Sequence, residues 1–380
     1  MRIAIDARMG DTRGGIGVYI RELISQLTEI DKKNQYFIIV NKHGHRSFVP
    51  SADNFSILDT SITHKHYFIK DLWNQFFLPF LLKVNSIDTY FNPRFILPFF
   101  KGKTKMVVTI HDMIAFLYPE IWSGISGFRI RNYIKLSSQR ADTIITDSIW
   151  AKKDIVRILN IPEDKIKVIY CGINQKLFKP IPDLSLQRLV KRKYGIRKNF
   201  ILTVGPMGTR KNHDRLIDAY SILPKCIRED YQLIITGEKK GTYNNLLKKV
   251  SKTYLADGIV FTGFIPGKEM PMIINATSLF VFPSLYEGFG IPLLEAMACG
   301  IPLLVSNVSS IPEVVGGAAL LFDPYNINDM ASVIDRAITD KDLRQKLVQR
   351  GFERIKKYSW ENTAKDILGV LEEVYNKQKR

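Results

Sequence analysis

The 380-residue sequence has few cysteines and no long apolar run. Cys171, Cys226 and Cys299 are far apart and form no Cys-x-x-Cys pair, which excludes a disulfide-stapled domain and favours free thiols in a reducing compartment. No apolar stretch reaches the ~18 residues that a membrane-spanning helix needs. The segment Met1–Asp6 lacks the layout of a signal peptide and is predicted to be a buried strand. These absences predict a cytoplasmic protein.

Metal-binding patterns are also missing. No group of His and Cys residues has the spacing of a zinc site. The pattern Asp-x-Asp occurs once, at Asp340–Asp342, in a charged helical stretch where we expect solvated side chains. We therefore expect no metal site and no metal cofactor.

The charge is strongly one-sided, because 55 Lys and Arg residues oppose 37 Asp and Glu residues and give a formal net charge of +18. Both halves of the chain share the excess. Such a balance attracts phosphates, nucleic acid or an anionic membrane surface. No nucleic-acid-binding motif accompanies it, so we expect no nucleic-acid partner.

Short apolar runs alternate with helical patterns along the whole chain. Most runs are apolar throughout, which is typical of strands covered on both faces. Strand–helix repetition of this kind predicts α/β architecture with parallel, doubly wound sheets. The predicted strands are Arg2–Asp6, Tyr36–Val40, Phe55–Leu58, Thr89–Asn92, Met106–His111, Thr143–Thr146, Ile166–Tyr170, Phe200–Val204, Gln232–Thr236, Ile259–Thr262, Leu279–Phe282, Leu303–Ser306 and Ala319–Phe322.

Two prolines make Lys179–Asp183 the predicted linker, because proline can continue neither a helix nor a central strand. We therefore expect one domain over residues 1–180, a second over 181–360, and a last amphipathic helix over about 361–380. Ligands of doubly wound sheets bind beyond the carboxyl ends of the strands, which predicts a site in the cleft between the two domains.

The segment Pro283–Gly300 carries the strongest chemical pattern. A strand ends before it, a glycine-rich loop follows, and Pro292 suits the first turn of a helix. The free N–H groups of that helix start favour an anion or a ring of hydroxyls. Glu287 in the loop and Glu295 in the helix are eight positions apart and are predicted to face one cleft. Taken as a bare pair, a helix cap and a solvated acid are the alternative.

A second candidate is Val204–Asn212, where a strand leads through Gly205 into a turn with Arg210 and Lys211. Fixed cations at a strand end stabilise the negative charge that develops on a leaving diphosphate. The alternative is an exposed basic turn.

Two more candidates follow strands in the first half. Gly15 and Gly17 belong to a predicted glycine loop that opens a helix, but their spacing does not fit the dinucleotide pattern Gly-x-Gly-x-x-Gly. His111 ends a predicted strand, and Asp112 beside it is a candidate for orienting the ring or binding an acceptor. A simple turn and a structural histidine are the respective alternatives.

Together these patterns resemble the retaining glycosyltransferases of family 4. Pro283–Gly300 is similar to the Glu-x7-Glu segment of that family, and the resemblance extends over nearly the whole chain. The other matching segments are Ile259–Pro266, Ser306–Glu313 and Leu321–Pro324, with the bend at Trp360.

The resemblance implies a GT-B fold of two Rossmann-like domains that face each other across a deep cleft, with the last helix packed on the first domain. Glu295 would accept hydrogen bonds from the ribose, and Glu287 would contact the donor sugar near the reacting centre. Arg210 and Lys211 would grip the diphosphate in place of a metal. The remaining implied contacts are Gly15, Gly17, Gly205, Gly288, Phe289 and Gly290 with phosphate or sugar, Phe264 and Ile265 with the base, and His111 with the donor sugar.

The implied activity is retaining transfer of a hexosyl group, mannose or a related sugar, from a nucleotide-diphosphate sugar to a saccharide or lipid-linked saccharide in cell-surface polysaccharide synthesis. The run Ser306–Asp323 favours GDP-mannose or a deoxysugar donor. The alternative is a sugar-binding or phosphorylase-type protein on the same fold, although no segment resembles the pyridoxal phosphate site of phosphorylases.

Two clusters favour peripheral contact with an anionic inner membrane face, and solvated charge over a buried aromatic face is the alternative. The first lies in Tyr67–Lys83 and comprises Phe68, Trp73, Phe76, Phe77 and Phe80 with Lys70 and Lys83. The second comprises Lys101, Lys103, Lys105, Arg129, Arg131 and Lys135.

Overall fold

The computed structural model describes residues 1–41, 46–60, 67–100, 102–251, 253 and 255–377, without the side chains of residues 67, 68 and 70. The chain divides into two compact units. The first unit is Met1–Gly172 with Trp360–Arg380, and the second is Ile173–Ser359. Among the described residues, no helix combines the length and the apolar character that crossing a bilayer requires.

The first unit is built on a seven-stranded parallel sheet in the order β3-β2-β1-β4-β5-β6-β7. Its strands are β1 Arg2–Asp6, β2 Gln35–Asn41, β3 Phe55–Thr60, β4 Thr89–Asn92, β5 Lys105–Thr109, β6 Thr143–Thr146 and β7 Ile166–Val168. Its helices are α1 Gly15–Ile30, α2 Tyr67–Leu72, α3 Leu78–Val84, α4 Ile114–Leu117, α5 Gly124–Arg140 and α6 Ile149–Leu159, with a π-helical turn at Trp73–Phe77.

The second unit repeats this plan with a six-stranded parallel sheet in the order β10-β9-β8-β11-β12-β13. Its strands are β8 Asn199–Val204, β9 Tyr231–Thr236, β10 Ile259–Gly263, β11 Leu279–Phe282, β12 Leu303–Ser306 and β13 Ala319–Phe322. Its helices are α7 Leu184–Lys193, α8 His213–Ser221, α9 Lys225–Asp230, α10 Tyr243–Ser251, α11 Met270–Ala276, α12 Ile291–Ala298, α13 Ile311–Val315, α14 Ile327–Thr339 and α15 Lys341–Ile355. The last helix of the chain, α16 Trp360–Asn376, belongs to the first unit.

In each sheet the first strands of the unit are added towards one edge and the later strands towards the other. The point where this order reverses, the switch point, lies between β1 and β4 in the first sheet and between β8 and β11 in the second. All thirteen predicted strands are present, and the prediction of two doubly wound parallel-sheet domains is confirmed. Strand ends differ by a few residues. The predicted strand Met106–His111 stops at Thr109, so His111 lies in the loop after β5.

The boundary between the units lies at Gly172/Ile173 rather than at the predicted 180/181. The proline-containing segment is tied to the second unit by one side chain, since Asn275 donates to the Lys179 carbonyl at 3.0 Å and accepts from the Ile181 amide at 2.7 Å. The prolines therefore mark an extended segment and not the boundary between the units. The hydrogen bonds of Asn275 attach this segment to the second unit.

The helix α16 packs on α1 within the first unit. Trp360 meets the ring of Tyr19 edge to face at 5.8 Å, and the Thr363 hydroxyl donates to the Tyr170 carbonyl at 2.8 Å. The apolar face of α16 is buried along its length through Ile367, Leu371 and Val374.

Candidate active site

The switch point of the second sheet gathers the loops that follow β8 and β11. In doubly wound sheets this crevice, at the carboxyl ends of the strands, is where ligands bind. Arg210 and Lys211 lie in a 3-10 turn after β8, while Glu287 lies in the loop after β11. The Leu285 amide donates to the Arg210 carbonyl at 2.8 Å, so the two loops are joined by backbone as well as by side chains.

Glu287 is buried and paired with both cations. Its Oε1 accepts from the Lys211 ammonium at 2.6 Å, and its Oε2 forms an ion pair with the Arg210 guanidinium. Arg210 also donates to the Tyr286 carbonyl at 2.8 Å. Burial alone would raise the pKa of Glu287, but the charges of Arg210 and Lys211 outweigh it and lower the pKa to about 2. The acid is therefore ionised at neutral pH, and the trio carries one net positive charge.

The side chain of Lys211 passes over Gly205 on its way to Glu287, and a larger residue than glycine would collide with it. A Cβ atom on Gly205 would lie 2.6 Å from Lys211 Cε, so the glycine leaves space for the lysine stem. The ammonium sits 4.5 Å from the centroid of the Phe282 ring. Burial lowers the pKa of Lys211 to about 8 although the Glu287 carboxylate opposes the shift. The Lys211 ammonium is therefore already desolvated, and an anion that took the place of the Glu287 carboxylate would pair with a desolvated cation.

Two serines after β12 hold the Glu287 loop. The Glu287 amide donates to the Ser309 hydroxyl at 3.0 Å, and the Ser310 hydroxyl donates to the Glu287 carbonyl at 2.9 Å. Ser309 has φ 53°, a left-handed backbone that a non-glycine residue adopts at some cost. Sequence analysis missed the positioning role of both residues, although they sit in Ser306–Glu313, a segment that it singled out.

Glu295 lies on α12 and is half-buried. Burial raises the pKa of its carboxyl to about 7. No described residue forms a hydrogen bond or ion pair with this carboxyl group, although the backbone carbonyl of Glu295 accepts the Cys299 amide. Unlike Glu287, it is not committed to a protein partner. The two acids of the Glu-x7-Glu segment thus differ in charge state and in what they contact.

The glycines between the two acids shape the start of α12. Gly290 has φ 104°, which favours glycine, and it immediately precedes the helix. Gly288 and Phe289 are buried beside it, and the Phe289 ring meets Tyr358 edge to face at 5.7 Å. Their N–H groups lie at a helix start, where an anion is favoured.

The segment predicted to meet the base follows β10. Phe264 is 38% exposed. Ile265 is 1% exposed, so its side chain belongs to the core and only its backbone remains for a ligand.

His111 lies in the loop after β5 of the first unit. Its Nδ1 is 2.5 Å from Asp147 Oδ2, its Nε2 is 3.0 Å from the Pro93 carbonyl, and the Tyr19 ring meets it edge to face at 5.1 Å. Burial lowers the pKa of His111, but the Asp147 carboxylate outweighs burial and raises it. Asp112 accepts the Ile114 amide at 3.0 Å, and the carboxylate that forms a hydrogen bond with the His111 ring is that of Asp147.

Asp147 is the residue that sequence analysis overlooked at this site. It follows β6 directly, as His111 follows β5, so the strand-end argument that selected His111 applies to it equally. Its neighbour Ser148 caps α6, because the Ser148 hydroxyl accepts the Ala151 amide at 3.0 Å.

The first unit has its own polar cluster at the switch point between β1 and β4. Asp6 pairs with Arg8 at 2.5 Å and accepts from the Tyr90 hydroxyl at 2.9 Å and from the Asn92 amide at 3.3 Å. Burial opposes ionisation of Asp6, but Arg8 outweighs it and holds the pKa below its ordinary value. Sequence analysis did not predict this cluster, because Asp6 lies 84 positions from Tyr90 and 86 from Asn92.

Gly15 and Gly17 lie in the first turn of α1, which begins at Gly15, rather than in a loop. Gly15 is exposed with open space around it. A Cβ atom on Gly17 would lie 2.1 Å from the Thr12 carbonyl oxygen, so this glycine permits the preceding loop to fold onto the helix.

The part of the chain that the structure describes contains no group of three or more His, Cys, Asp and Glu side chains placed to hold a metal ion. In the Asp-x-Asp triplet, Asp340 instead caps α15 by accepting the Leu343 amide at 2.8 Å. The three cysteines are unpaired.

Comparison with known proteins places this geometry in a family. The chain matches Glycosyltransferase Family 4 over residues 13–177 and Glycosyl transferases group 1 over residues 187–354. The O-antigen chain mannosyltransferase B of Escherichia coli is 33% identical over 274 residues, covering 72% of this chain and 71% of that protein. The chain belongs to the family 4 glycosyltransferases, of the group 1 type.

A longer relative is also similar in sequence to this chain, and solved glycosyltransferase structures have the same fold. The serotype-specific mannosyltransferase WbdA of Escherichia coli is 33% identical over 265 residues, which are 68% of this chain but 32% of WbdA, so the chain spans about a third of that relative. Sucrose-phosphate synthase from Thermosynechococcus elongatus has the same fold, with a TM-score of 0.81, 20% identity and 99% coverage of both chains. HepE of Anabaena, solved with UDP-glucose, has a TM-score of 0.76 with 17% identity, covering 98% of this chain and 100% of HepE.

Proposed function

We propose that the protein is a retaining glycosyltransferase that moves a mannosyl or related hexosyl group from a nucleotide-diphosphate sugar to a saccharide or lipid-linked saccharide. The observation that carries the proposal is the buried pairing of Glu287 with Arg210 and Lys211 at the switch point of the second sheet. Two cations that share one acid retain a positive charge, which suits a diphosphate. The mannosyltransferase names of two relatives and the UDP-glucose complex of HepE support this reading.

Each side chain has a distinct part in the proposed reaction. Arg210 and Lys211 bind the diphosphate and stabilise the charge that grows as the sugar–phosphate bond breaks, so no divalent metal is required. Glu287 contacts the sugar, and Glu295 accepts hydrogen bonds from the ribose. The released phosphate oxygen takes the proton of the acceptor hydroxyl, so the protein mainly positions the reactants.

The decisive test is a panel of sugar nucleotides that includes GDP-mannose and UDP-glucose, first by thermal shift and then by transfer to a saccharide acceptor in the presence of EDTA. Proton NMR of the product reports the anomeric configuration, which we expect to be retained. Arg210→Ala should lower kcat roughly 100- to 1000-fold, the usual loss when one charge-stabilising donor is removed. Arg188→Ala, at an exposed position on α7, is the control.

Three results would contradict the proposal. They are inversion of configuration, activity that EDTA abolishes, and unchanged turnover in Arg210→Ala. Consumption of inorganic phosphate with a saccharide would instead indicate a phosphorylase.

We further propose that the first unit binds the acceptor and rests on an anionic membrane surface. Phe76, Phe77 and Phe80 are each more than 60% exposed, and so are Ile125 and Phe128 on α5. Groups of exposed apolar side chains can mark an interaction site. Arg129 on α5 forms an ion pair with Asp71 on α2, so the two apolar segments lie on neighbouring elements.

The structure alters the membership of the two predicted clusters. Trp73 is buried, with the Arg8 guanidinium 4.6 Å from the centroid of its ring, and Arg131 bonds the Ala115 carbonyl. The exposed cations are Lys83, Lys103 and Lys135. Lys101 and the side chains of Phe68 and Lys70 lie outside the described residues.

Sedimentation with vesicles that contain anionic phospholipid tests the membrane contact. Replacing Phe76, Phe77 and Phe80 together by serine should abolish co-sedimentation, whereas Leu189→Ser, which removes an equally exposed apolar side chain from the second unit, should not. Equal binding by all three proteins would show that these phenylalanines do not make the membrane contact, and no binding by the unmodified chain would argue for a freely diffusing acceptor.

A further inference from the structure

His111 is held between two hydrogen-bond acceptors. Its Nδ1 lies 2.5 Å from a carboxylate oxygen of Asp147, and its Nε2 lies 3.0 Å from the backbone carbonyl of Pro93. The three residues follow three neighbouring strands, β4, β5 and β6, so the ring links the carboxyl ends of three of the seven strands in the sheet.

This arrangement restricts the protonation of the ring. A proline carbonyl can only accept, so Nε2 must carry a hydrogen to make its bond. The proton between Nδ1 and Asp147 belongs to the histidine, because the ordinary pKa of imidazole lies about 2.6 above that of a carboxyl. Both ring nitrogens then donate, and neither has a lone pair free to accept a proton from a substrate.

The other ionisable groups around the ring do not change this assignment. They are Asp112 in the same loop, Tyr19 on α1, and Cys171 after β7 beside Asp147. Burial raises the pKa of the Tyr19 hydroxyl, and burial together with the Asp147 charge raises that of the Cys171 thiol, so both stay neutral. Asp147 supplies the negative charge that touches the ring, since the Asp112 carboxylate is turned to the Ile114 amide.

We propose that Asp147 is a positioning residue that keeps His111 as an imidazolium, so that His111 enters sugar transfer as a fixed cation and never as a general base. The activity part of this inference rests on the proposed glycosyltransferase function. It assigns deprotonation of the acceptor to a group other than this histidine and gives Asp147 a role in charge as well as in geometry.

Nitrogen-15 NMR of histidine-labelled protein tests the protonation directly and needs no activity. The His111 signals are identified by their loss in His111→Gln. At about pH 7, above the ordinary histidine pKa of about 6.5, we expect both ring nitrogens to be protonated. In Asp147→Asn we expect one to lose its proton, while Asp142→Asn, which removes another carboxylate of the same unit that accepts a backbone amide, should leave the signals unchanged.

The pH profile of kcat/KM provides a second readout that a purely structural role would not move. Asp147→Asn should lose roughly 10- to 100-fold in activity at about pH 7, by analogy with the loss found when the hydrogen-bond partner of a metal-bound histidine is removed. Activity should recover as the pH is lowered and the ring regains its proton. The unmodified enzyme should show no such rise.

An unprotonated ring nitrogen in the unmodified protein at about pH 7 would overturn the inference, and so would identical pH profiles for Asp147→Asn and the unmodified enzyme. An activity that falls as the pH is lowered in both enzymes, and still falls when each also carries Glu295→Gln, would identify His111 as a base. If no sugar nucleotide supports transfer, the proposed function fails while the NMR result still decides the state of His111.

Discussion

Lys211 and Glu287 are 76 positions apart in the chain, yet the Lys211 ammonium donates to Glu287 Oε1 at 2.6 Å in a buried setting. The contact spans the switch point of the second sheet and joins the loop after β8 to the loop after β11. It also sets the charge of the site, because a buried acid that is paired in this way stays ionised while its partners remain cationic.

Glu287→Gln should destabilise the fold. The substitution leaves the buried Lys211 and the half-buried Arg210 without a counter-charge, and breaking a buried pair by removing one partner costs on the order of 3 kcal/mol. The free energy of unfolding, measured by urea denaturation of the second-unit transition, reports this loss. Glu295→Gln is the matched control because it removes an acid that has no ion pair, and a loss as large in the control would refute the assignment.

Glu295 should make stability and nucleotide affinity depend on pH in opposite directions. Burial raises the pKa of this carboxyl from 4.5 to about 7, so the folded chain binds more protons than the unfolded chain between these values. Its contribution to stability is present below pH 4.5 and is lost as the pH rises through about 7. Affinity for a nucleotide should rise over the same interval, because ribose hydroxyls donate to the ionised form.

Titration calorimetry with a nucleoside diphosphate in buffers of different ionisation enthalpy would detect the proton that Glu295 releases on binding. The release should be absent in Glu295→Gln. A pH-independent affinity in the unmodified protein would remove Glu295 from the ribose contact.

His213 should make the fold sensitive to acid. It is 2% exposed, and neither ring nitrogen has a hydrogen-bond partner among the described residues. Burial, assisted by the Lys211 charge, lowers the pKa of His213 to about 3. Between this value and the ordinary histidine pKa, the imidazole is protonated in the unfolded chain and neutral in the folded chain. Stability is therefore lost as the pH falls from about 6.5 towards 3, by up to on the order of 4 kcal/mol.

The measurement is the slope of unfolding free energy against pH in that interval, compared between the unmodified protein and His213→Asn. A constant packing loss shifts the whole curve, whereas loss of the histidine changes its slope. His111→Gln should leave the slope in that interval unchanged and alter it only above about pH 6.5. The raised pKa of His111 adds stability that is present below pH 6.5 and disappears as the pH rises through the folded pKa. Parallel curves for His213→Asn and the unmodified protein would show that His213 is not buried neutral.

Ser309 should reveal how tightly the Glu287 loop is held. Ser309→Ala removes the hydroxyl that accepts the Glu287 amide and keeps a side chain at φ 53°, and we expect a loss of about 2 kcal/mol in unfolding free energy. Ser309→Gly removes the same hydroxyl but adopts this backbone more readily, so it should recover about 1 kcal/mol. Thermal unfolding of the three proteins checks the order, and a glycine variant less stable than the alanine variant would contradict it.

Much of the fold could be predicted from the sequence because its signals are local. Fully buried strands such as Phe200–Val204 and Leu279–Phe282 must be apolar on both faces, so they can be recognised without knowing their neighbours. The turn with Arg210 and Lys211 and the loop with Glu287 are likewise recognised by their position at strand ends. That is why the candidate residues of the second unit could be named before the fold was known.

The tertiary structure alone decided which of these residues meet. Glu287 could have capped its own helix but pairs with two cations from another loop, and His111 passes over its neighbour Asp112 to pair with Asp147, 36 positions away. The unit boundary likewise depends on Asn275, far from the prolines that suggested a linker. Sequence spacing places polar residues at the carboxyl ends of the strands, but the order of those strands in the sheet and the space left by packing determine which partners a buried charge can reach.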